Sequence, residues 1–468
     1  MKKRLVACLL IGMPMFGDVY TVSTAADAGK GSLREKITLA NANPGFDTIH
    51  FDIQGPGPHA IALATALPAI TDPLRIDGYT QTGASANTSA LYSNAKIRIV
   101  LVGRSQLFHG LVFSAAAGGS VVRGVSLGNF SSAISIDGAS EVSVIGNYIG
   151  IDPSGSPLSS SIGVALQNGA NRCIVGAPDL YDRNVIGSND IGVFVTSDYH
   201  DIENNLIGTR PDGISPAPNT SGVVILNGNG NTIGSDNVIS GNTVGRNACG
   251  IMIAGASSSN SVIANFIGIA ANGRTPLPNR KGVWILDDFL NMKAGAAPTL
   301  SEVALNRIEH NLEDGIVITR STSDPLGNRF SGNTFAENGA LGIDLGDDGV
   351  TLNDDGDADT GPNHLQNYPV LESVVASEGQ LTIRGTLDAL PGSGGYMIQF
   401  FHDDACDPSG HGEGRGLGRT NVDAGTGPVP FTVTFASPIT SGVFSATATS
   451  DVLRETSELS PCVAVIVR

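Results

Sequence analysis

Asp355, Asp357 and Asp359 alternate in a glycine-rich stretch of this 468-residue chain. Alternating aspartates gather carboxylate oxygens around a hard cation, which makes Ca²⁺ the one cofactor the sequence suggests. The match to an EF-hand loop is poor, because Thr360 stands at its glycine position and Gln366 at its bidentate glutamate. A solvated acidic linker over 351–365 is the competing reading.

Basic side chains concentrate elsewhere. Residues 124–273 contain four Arg and no Lys, whereas 274–320 hold Arg274, Arg280, Lys281, Lys293, Arg307 and Arg320 beside Asp287-Asp288 and Glu309-His310. Paired carboxylates at suitable separation serve as acid and base in glycoside hydrolysis, and an Arg or Lys of lowered pKa serves as base in elimination. Surface ion pairing explains the same charges without chemistry. There is no zinc spacing, phosphate loop or Gly-x-Ser-x-Gly elbow, and the ordered signatures of pectin hydrolases are missing.

The elements that must position these groups follow from a repeat. Gly-aliphatic-x-aliphatic recurs at Gly163, Gly192, Gly222, Gly250, Gly282, Gly315 and Gly342, at intervals of 29, 30, 28, 32, 33 and 27 residues, with weaker versions at Gly110 and Ala133. Each period holds further short strands, such as those at Asn147-Tyr-Ile-Gly150 and Asn205-Leu-Ile-Gly208, between Gly/Asn turns. A fixed period without helix-length apolar spacing means a solenoid. The expected fold is all-β: a right-handed, single-stranded parallel β-helix of pectate-lyase-like type, with repeats over 105–350 and a cap and first coils over 18–104. Asn189, Asn219, Asn247, Asn279, Asn311 and Asn338 precede the repeat glycines by three or four residues, so they are expected to stack as a turn ladder. Cys173 and Cys249 are expected free and buried.

Along each repeat strand the x position faces outward. That column is Ala165, Phe194, Val224, Met252, Trp284, Val317 and Asp344, read as an apolar stripe with the only Trp of the chain. The stripe asks for a partner, either the protein's own long turns or C-terminal domain, or a glycan stacked on Trp284. Two residues past successive strands stand Asp287, Arg320 and Asp347, with Asp288 and Asp348 beside them. Trp284 and this row form the expected ligand face.

From 366 to 468 the pattern changes to alternating strands at 380–386, 396–401, 431–435, 443–449 and 463–467, as in a small immunoglobulin-like β-sandwich. Cys406 and Cys462 are expected to pair there, and His411 to face solvent. At the other end, Lys2, Lys3 and Arg4 before the apolar run 5–13 read as a signal peptide over 1–17. Ser32 N-caps a helix carrying Leu33, Ile37 and Ala40, which would close the first coil. No later segment reaches the ~20 apolar residues of a transmembrane helix. A formal charge of −17 and a pI near 4.7 argue against nucleic acid as partner.

Gly31-Ser-Leu-Arg-Glu35, Ala40-Asn-Ala-Asn43, the repeated Asn-x-Ile-Gly, Leu341-Gly-Ile-Asp-Leu-Gly346, the stretch Asn353–Asn363 and Ser457-Glu-Leu-Ser-Pro-Cys462 together resemble the bacterial β-helix repeat proteins whose N-terminal cap carries a Ser-Leu-Arg-Glu motif. The resemblance spans nearly the whole chain. It implies the fold and a secreted or cell-surface location. Two functions stand: binding of an extended polysaccharide or cell-surface glycan in adhesion, and, alternatively, a polysaccharide lyase or glycoside hydrolase acting on an acidic glycan.

Overall fold

The computed structural model describes residues 17–468 apart from Arg246, Leu290, Asn291, Ala294 and Gly295; all of the expected signal segment 1–17 except Gly17 lies outside it. Successive coils feed three parallel sheets. The first has eleven strands, from Val19–Val22 to Arg329–Ser331; the third has nine, from Leu111–Ser114 to Ile343–Leu345. A second sheet between them runs from His59–Ala62 to Thr334–Ala336. The repeat strands stand in strict register, Val164 beside Val193, Val223, Ile251, Val283, Ile316 and Ile343. Their inward aliphatic residues are fully buried along the axis. The repeat glycine is steric in origin: a Cβ on Gly163 or Gly192 would lie 2.5 Å from the carbonyl oxygen of the next coil's glycine.

Asparagines stack in more than one column. The ladder at the corner before the third sheet runs Asn189, Asn219, Asn242, Asn279, Asn311, Asn338, each Nδ2 donating to the next Oδ1 at 2.9–3.2 Å. Asn242, not Asn247, fills the third rung. The chain inserts a bulge between rung and glycine in that coil, which leaves Asn247 partly exposed and out of the column. A second ladder, Asn147, Asn184, Asn205, Asn237, Asn265, Asn306, Asn333, lines the corner between the first two sheets. Cys173 and Cys249 are free and buried.

The helix Leu33–Asn41 covers the first coil. Ser32 Oγ accepts from Glu35 N, Glu35 Oε2 accepts from Gly31 N, and Arg34 donates to the carbonyls of Thr65 and Ala66. Leu33, Ile37 and Ala40 close the core beneath it. Each residue of the Ser-Leu-Arg-Glu stretch thus has a capping task.

Seven strands form the C-terminal unit: β1 (Val370–Ser377), β2 (Gln380–Leu387), β3 (Gly395–Asp403), β4 (Gly414–Asp423), β5 (Val429–Ala436), β6 (Val443–Ser450) and β7 (Val463–Val467). β1-β2-β5 and β4-β3-β6-β7 pair antiparallel, and β7 also runs parallel to β1. Cys406 and Cys462 are joined by a disulfide.

This unit sits on the last coil. β4 pairs antiparallel with Thr334–Ala336, and Glu413 Oε1 accepts from Asn338 Nδ2 at 2.7 Å, ending the ladder. The segment 455–460 covers the remaining edges, with Glu455 accepting from Gly327 N, Thr456 Oγ1 from Phe330 N and Glu458 from Leu345 N. Leu459 and Phe401 enter the solenoid core. His411 is buried rather than solvent-facing, because its Nδ1 holds the Leu459 carbonyl at 2.7 Å.

Candidate functional site

The outward column of the third sheet is not an exposed stripe. Ala165, Val224, Met252 and Val317 are fully buried, while Phe194 and Trp284 are half-buried against Leu226, Ala254 and Leu286. Outward side chains on coils ~4.8 Å apart shield one another, an effect that a single strand's alternation does not reveal. Trp284 Nε1 donates to Thr319 Oγ1 at 2.8 Å, and Lys281 Nζ lies 5.7 Å from its ring centroid. Lys281 is buried among Asp314 at 3.2 Å, Glu313 at 3.3 Å and Asp347 at 2.5 Å. Burial pushes its pKa down, but the hydrogen bond and charge of Asp347, with those of Asp314, outweigh this and raise it.

The polar row beyond the strands is in register but does not converge. Asp287 is 2% exposed and turns into the next loop, accepting from the backbone N–H of Ser321, Thr322 and Ser323 at 2.6–2.8 Å and from two hydroxyls. Burial alone would raise its pKa; those donors overcome it and hold the carboxyl low. Arg320 pairs with Asp324 at 2.9 Å, Asp347 with Lys281. Asp288 keeps one buried oxygen without a partner, and Asp348 lines a cavity of about 380 Å³ with Arg320. Asp344 is pushed up to about 6 by burial, yet both its oxygens accept backbone N–H groups, from Asp347 and Gly349. Glu309 is held by Arg307 at 2.8 Å.

The acidic stretch differs from the sequence reading in one member. Asp354, Asp357 and Asp359 bring one oxygen each within 4.8 Å of one another, while Asp355 is exposed. Nor is the stretch a freely solvated linker: Asn353 Nδ2 holds the Tyr368 carbonyl at 2.8 Å and Asn367 Nδ2 the Asp388 carbonyl at 3.0 Å. Asp357 is 6% exposed and accepts from Asn367 N at 2.7 Å. Burial, with the charges of Asp359 and Asp354, pushes its carboxyl up to about 6. One carboxylate oxygen of Asp359 and one of Asp388 are buried without a hydrogen-bond partner. Crowded carboxylates with orphaned oxygens fit a hard divalent cation of flexible coordination, as Ca²⁺ is.

A further site was not foreseen from sequence. The outer face of the first sheet near its end and the β3–β4 face of the C-terminal unit enclose an open cleft of about 510 Å³. Glu302, Arg329 and Leu305 line one wall, and Met397, Gln399 and Arg419 the other. Gln399 Oε1 pins the walls together by accepting from Gly332 N at 3.0 Å. Glu302 and Arg329 are neighbours in register on adjacent coils. The one available signal was Gly414-Arg-Gly-Leu-Gly-Arg419, whose glycines hid the alternation of β4. Another open cavity, about 600 Å³, lies where Tyr148 meets the loop of Arg210 and Asp212. Asp212 there accepts from Ile214 N and Ser215 N, which suits it to holding its own turn.

No protein-family model matches the sequence, and no curated protein matches it. Solved structures similar to it include an alginate lyase from Paenibacillus sp. str. FPU-7, 15% identical, covering 70% of this chain and 98% of that one with a TM-score of 0.46. The enzymatically active domain of tailspike protein 2 from bacteriophage CBA120 is 11% identical over 91% of this chain and 73% of its own, TM-score 0.40. The periplasmic alginate epimerase AlgG is 12% identical over 63% and 71%, TM-score 0.37. At such scores the function must be read from this chain's own residues.

Proposed function

We propose that this chain is an exported or cell-surface protein, a right-handed parallel β-helix capped by an immunoglobulin-like sandwich, that binds an extended polysaccharide in the cleft between the two. The cleft carries the reading. It is open, of saccharide size, and its facing walls combine the apolar Leu305 and Met397 with groups able to bond hydroxyls, the usual composition of a ligand-binding surface. Right-handedness follows from the near-universal hand of parallel crossovers. The pairings β1-β2-β5 and β4-β3-β6-β7 support the immunoglobulin-like reading of the C-terminal unit. Among the described residues no helix is long and apolar enough to cross a membrane. Asp354, Asp357 and Asp359 are assigned to a calcium ion that fastens the junction.

Cleavage of an acidic glycan is the second reading, favoured by Asp344, pushed up to about 6, with Asp314 and Lys281 nearby. Against it, Asp344 is 3% exposed and commits both oxygens to its own turn. The test is a polysaccharide panel scored for binding and for new reducing or unsaturated ends. Binding without new ends, weakened by Leu305→Asp, is expected. Turnover would replace this reading by the enzymatic one, and a panel without any binding would remove it.

A further inference from the structure

The cleft's charges are out of keeping with the rest of the molecule. In a chain of net charge −17, two arginines from separate units, Arg329 and Arg419, line one cavity. Neither has an ion-pair partner among the described residues, although the salt bridges of the solenoid surface show that acidic partners are available elsewhere. Glu302, next to Arg329 in register, also lacks one. Arg329 Nε is buried without a hydrogen-bond partner. A buried guanidinium N–H left unbonded is costly, and a planar donor fork is matched best by a carboxylate or another oxyanion. Arg419 is exposed on β4, where its Nη1 donates to Met397 Sδ at 3.8 Å.

We infer that the cleft selects a saccharide bearing an anionic group, which Arg329 and Arg419 bind between them, while Leu305 and Met397 support the apolar face of the sugar ring. This deepens the polysaccharide-binding reading and rests on it. The anion is the uronate carboxylate or a sulfate ester; both offer oxygens to the same donors. Glu302 accepts from ring hydroxyls, so a ligand anionic at every position of its ring is disfavoured.

The experiment is calorimetric titration of the full chain with oligosaccharides of equal length: neutral, uronate-containing and sulfated. The expected result is that the uronate ligand binds about tenfold or more tightly than the neutral one, with affinity falling as salt is raised. Arg419→Gln, on an exposed strand position, is expected to erase that preference. Arg329→Lys keeps the charge but loses the fork and should weaken the carboxylate more than the sulfate if the carboxylate is the true ligand. A sulfated ligand that binds best and is insensitive to Arg329→Lys supports the anion site and assigns it to sulfate. Equal binding of neutral and anionic ligands, unchanged by Arg419→Gln, overturns this inference while leaving polysaccharide binding intact. No binding of any ligand overturns both.

Discussion

Asp287 is surrounded by three backbone N–H groups and two hydroxyls, and that environment decides its role. An acid so fully bonded, with its pKa held low, has no free lone pair to offer a sugar hydroxyl. It fixes the loop after Ile316–Thr319 instead. Asp287→Ala leaves three N–H groups without their acceptor, and the expected cost is about 2–4 kcal/mol, since each buried unsatisfied donor carries a desolvation penalty. Denaturant unfolding measures it. A midpoint equal to the parent's would return Asp287 to the list of free surface carboxylates. Lys281 follows the same logic: the aspartates that raise its pKa keep it charged, so it does not suit the role of a neutral base.

At the scale of elements, the ladder gives a paired test. Asn242 carries bonds to Asn219 and Asn279, whereas Asn247 lies outside the column. Asn242→Ala should destabilise by about 1–3 kcal/mol and Asn247→Ala by less than about 0.5 kcal/mol. Equal losses would mean that the column is not what stabilises this corner. Sequence alone could not separate the two, because spacing to the repeat glycine favours Asn247 and only stacking reveals the bulge. What spacing did reveal was the repeat itself, since Gly163 and its equivalents answer to a close contact that recurs every coil. The capping helix was legible too, from Ser32 and the helical spacing of Leu33, Ile37 and Ala40. The outward column was misjudged because its burial depends on neighbours some 30 residues away. The cleft escaped notice for a similar reason: its walls come from segments about 100 residues apart, and β1 and β4 were not recognised as strands. Calcium belongs to this scale as well. If Asp354, Asp357 and Asp359 chelate it, millimolar Ca²⁺ should raise the melting temperature and EDTA lower it, because a ligand of the native state stabilises by mass action. Asp357→Asn should abolish that response, and a melting temperature indifferent to both reagents would leave the cluster as protein-only structure.

For the whole molecule, the C-terminal unit acts as the plug of the solenoid, and the plug contains buried acids. A last coil left bare would expose unpaired strand edges and the end of the apolar core. Glu413 and Glu458 reach those edges, and burial is the main cause of their raised pKa values, to about 8 and about 7. For Glu413 the Asn338 hydrogen bond opposes the shift and Asp407 adds to it; for Glu458 the N–H groups of Leu345 and Thr351 oppose it. The sign of the consequence is fixed. A carboxyl whose folded pKa exceeds its unfolded value, near 4.3, binds protons more tightly in the native state, so stability falls as pH rises from the unfolded value through the folded one. The window is therefore about pH 4.5 to 8, and Asp344 and Asp357, both near 6, add to its lower half. Asp287 and Glu313, held low by donors and by Arg280 and Lys281, act in the opposite sense and are lost only on stronger acidification. Stability should be greatest at the lower end of that window, about pH 4.5, and decline by a few kcal/mol toward pH 8.5. Glu413→Gln keeps an acceptor for Asn338 and cannot ionise, so thermal unfolding of this variant should lose less stability between pH 6 and 8.5 than the parent does. A parent whose melting temperature rises over that interval, or a variant that tracks it at every pH, would show that Glu413 is not the group through which alkaline pH loosens the cap.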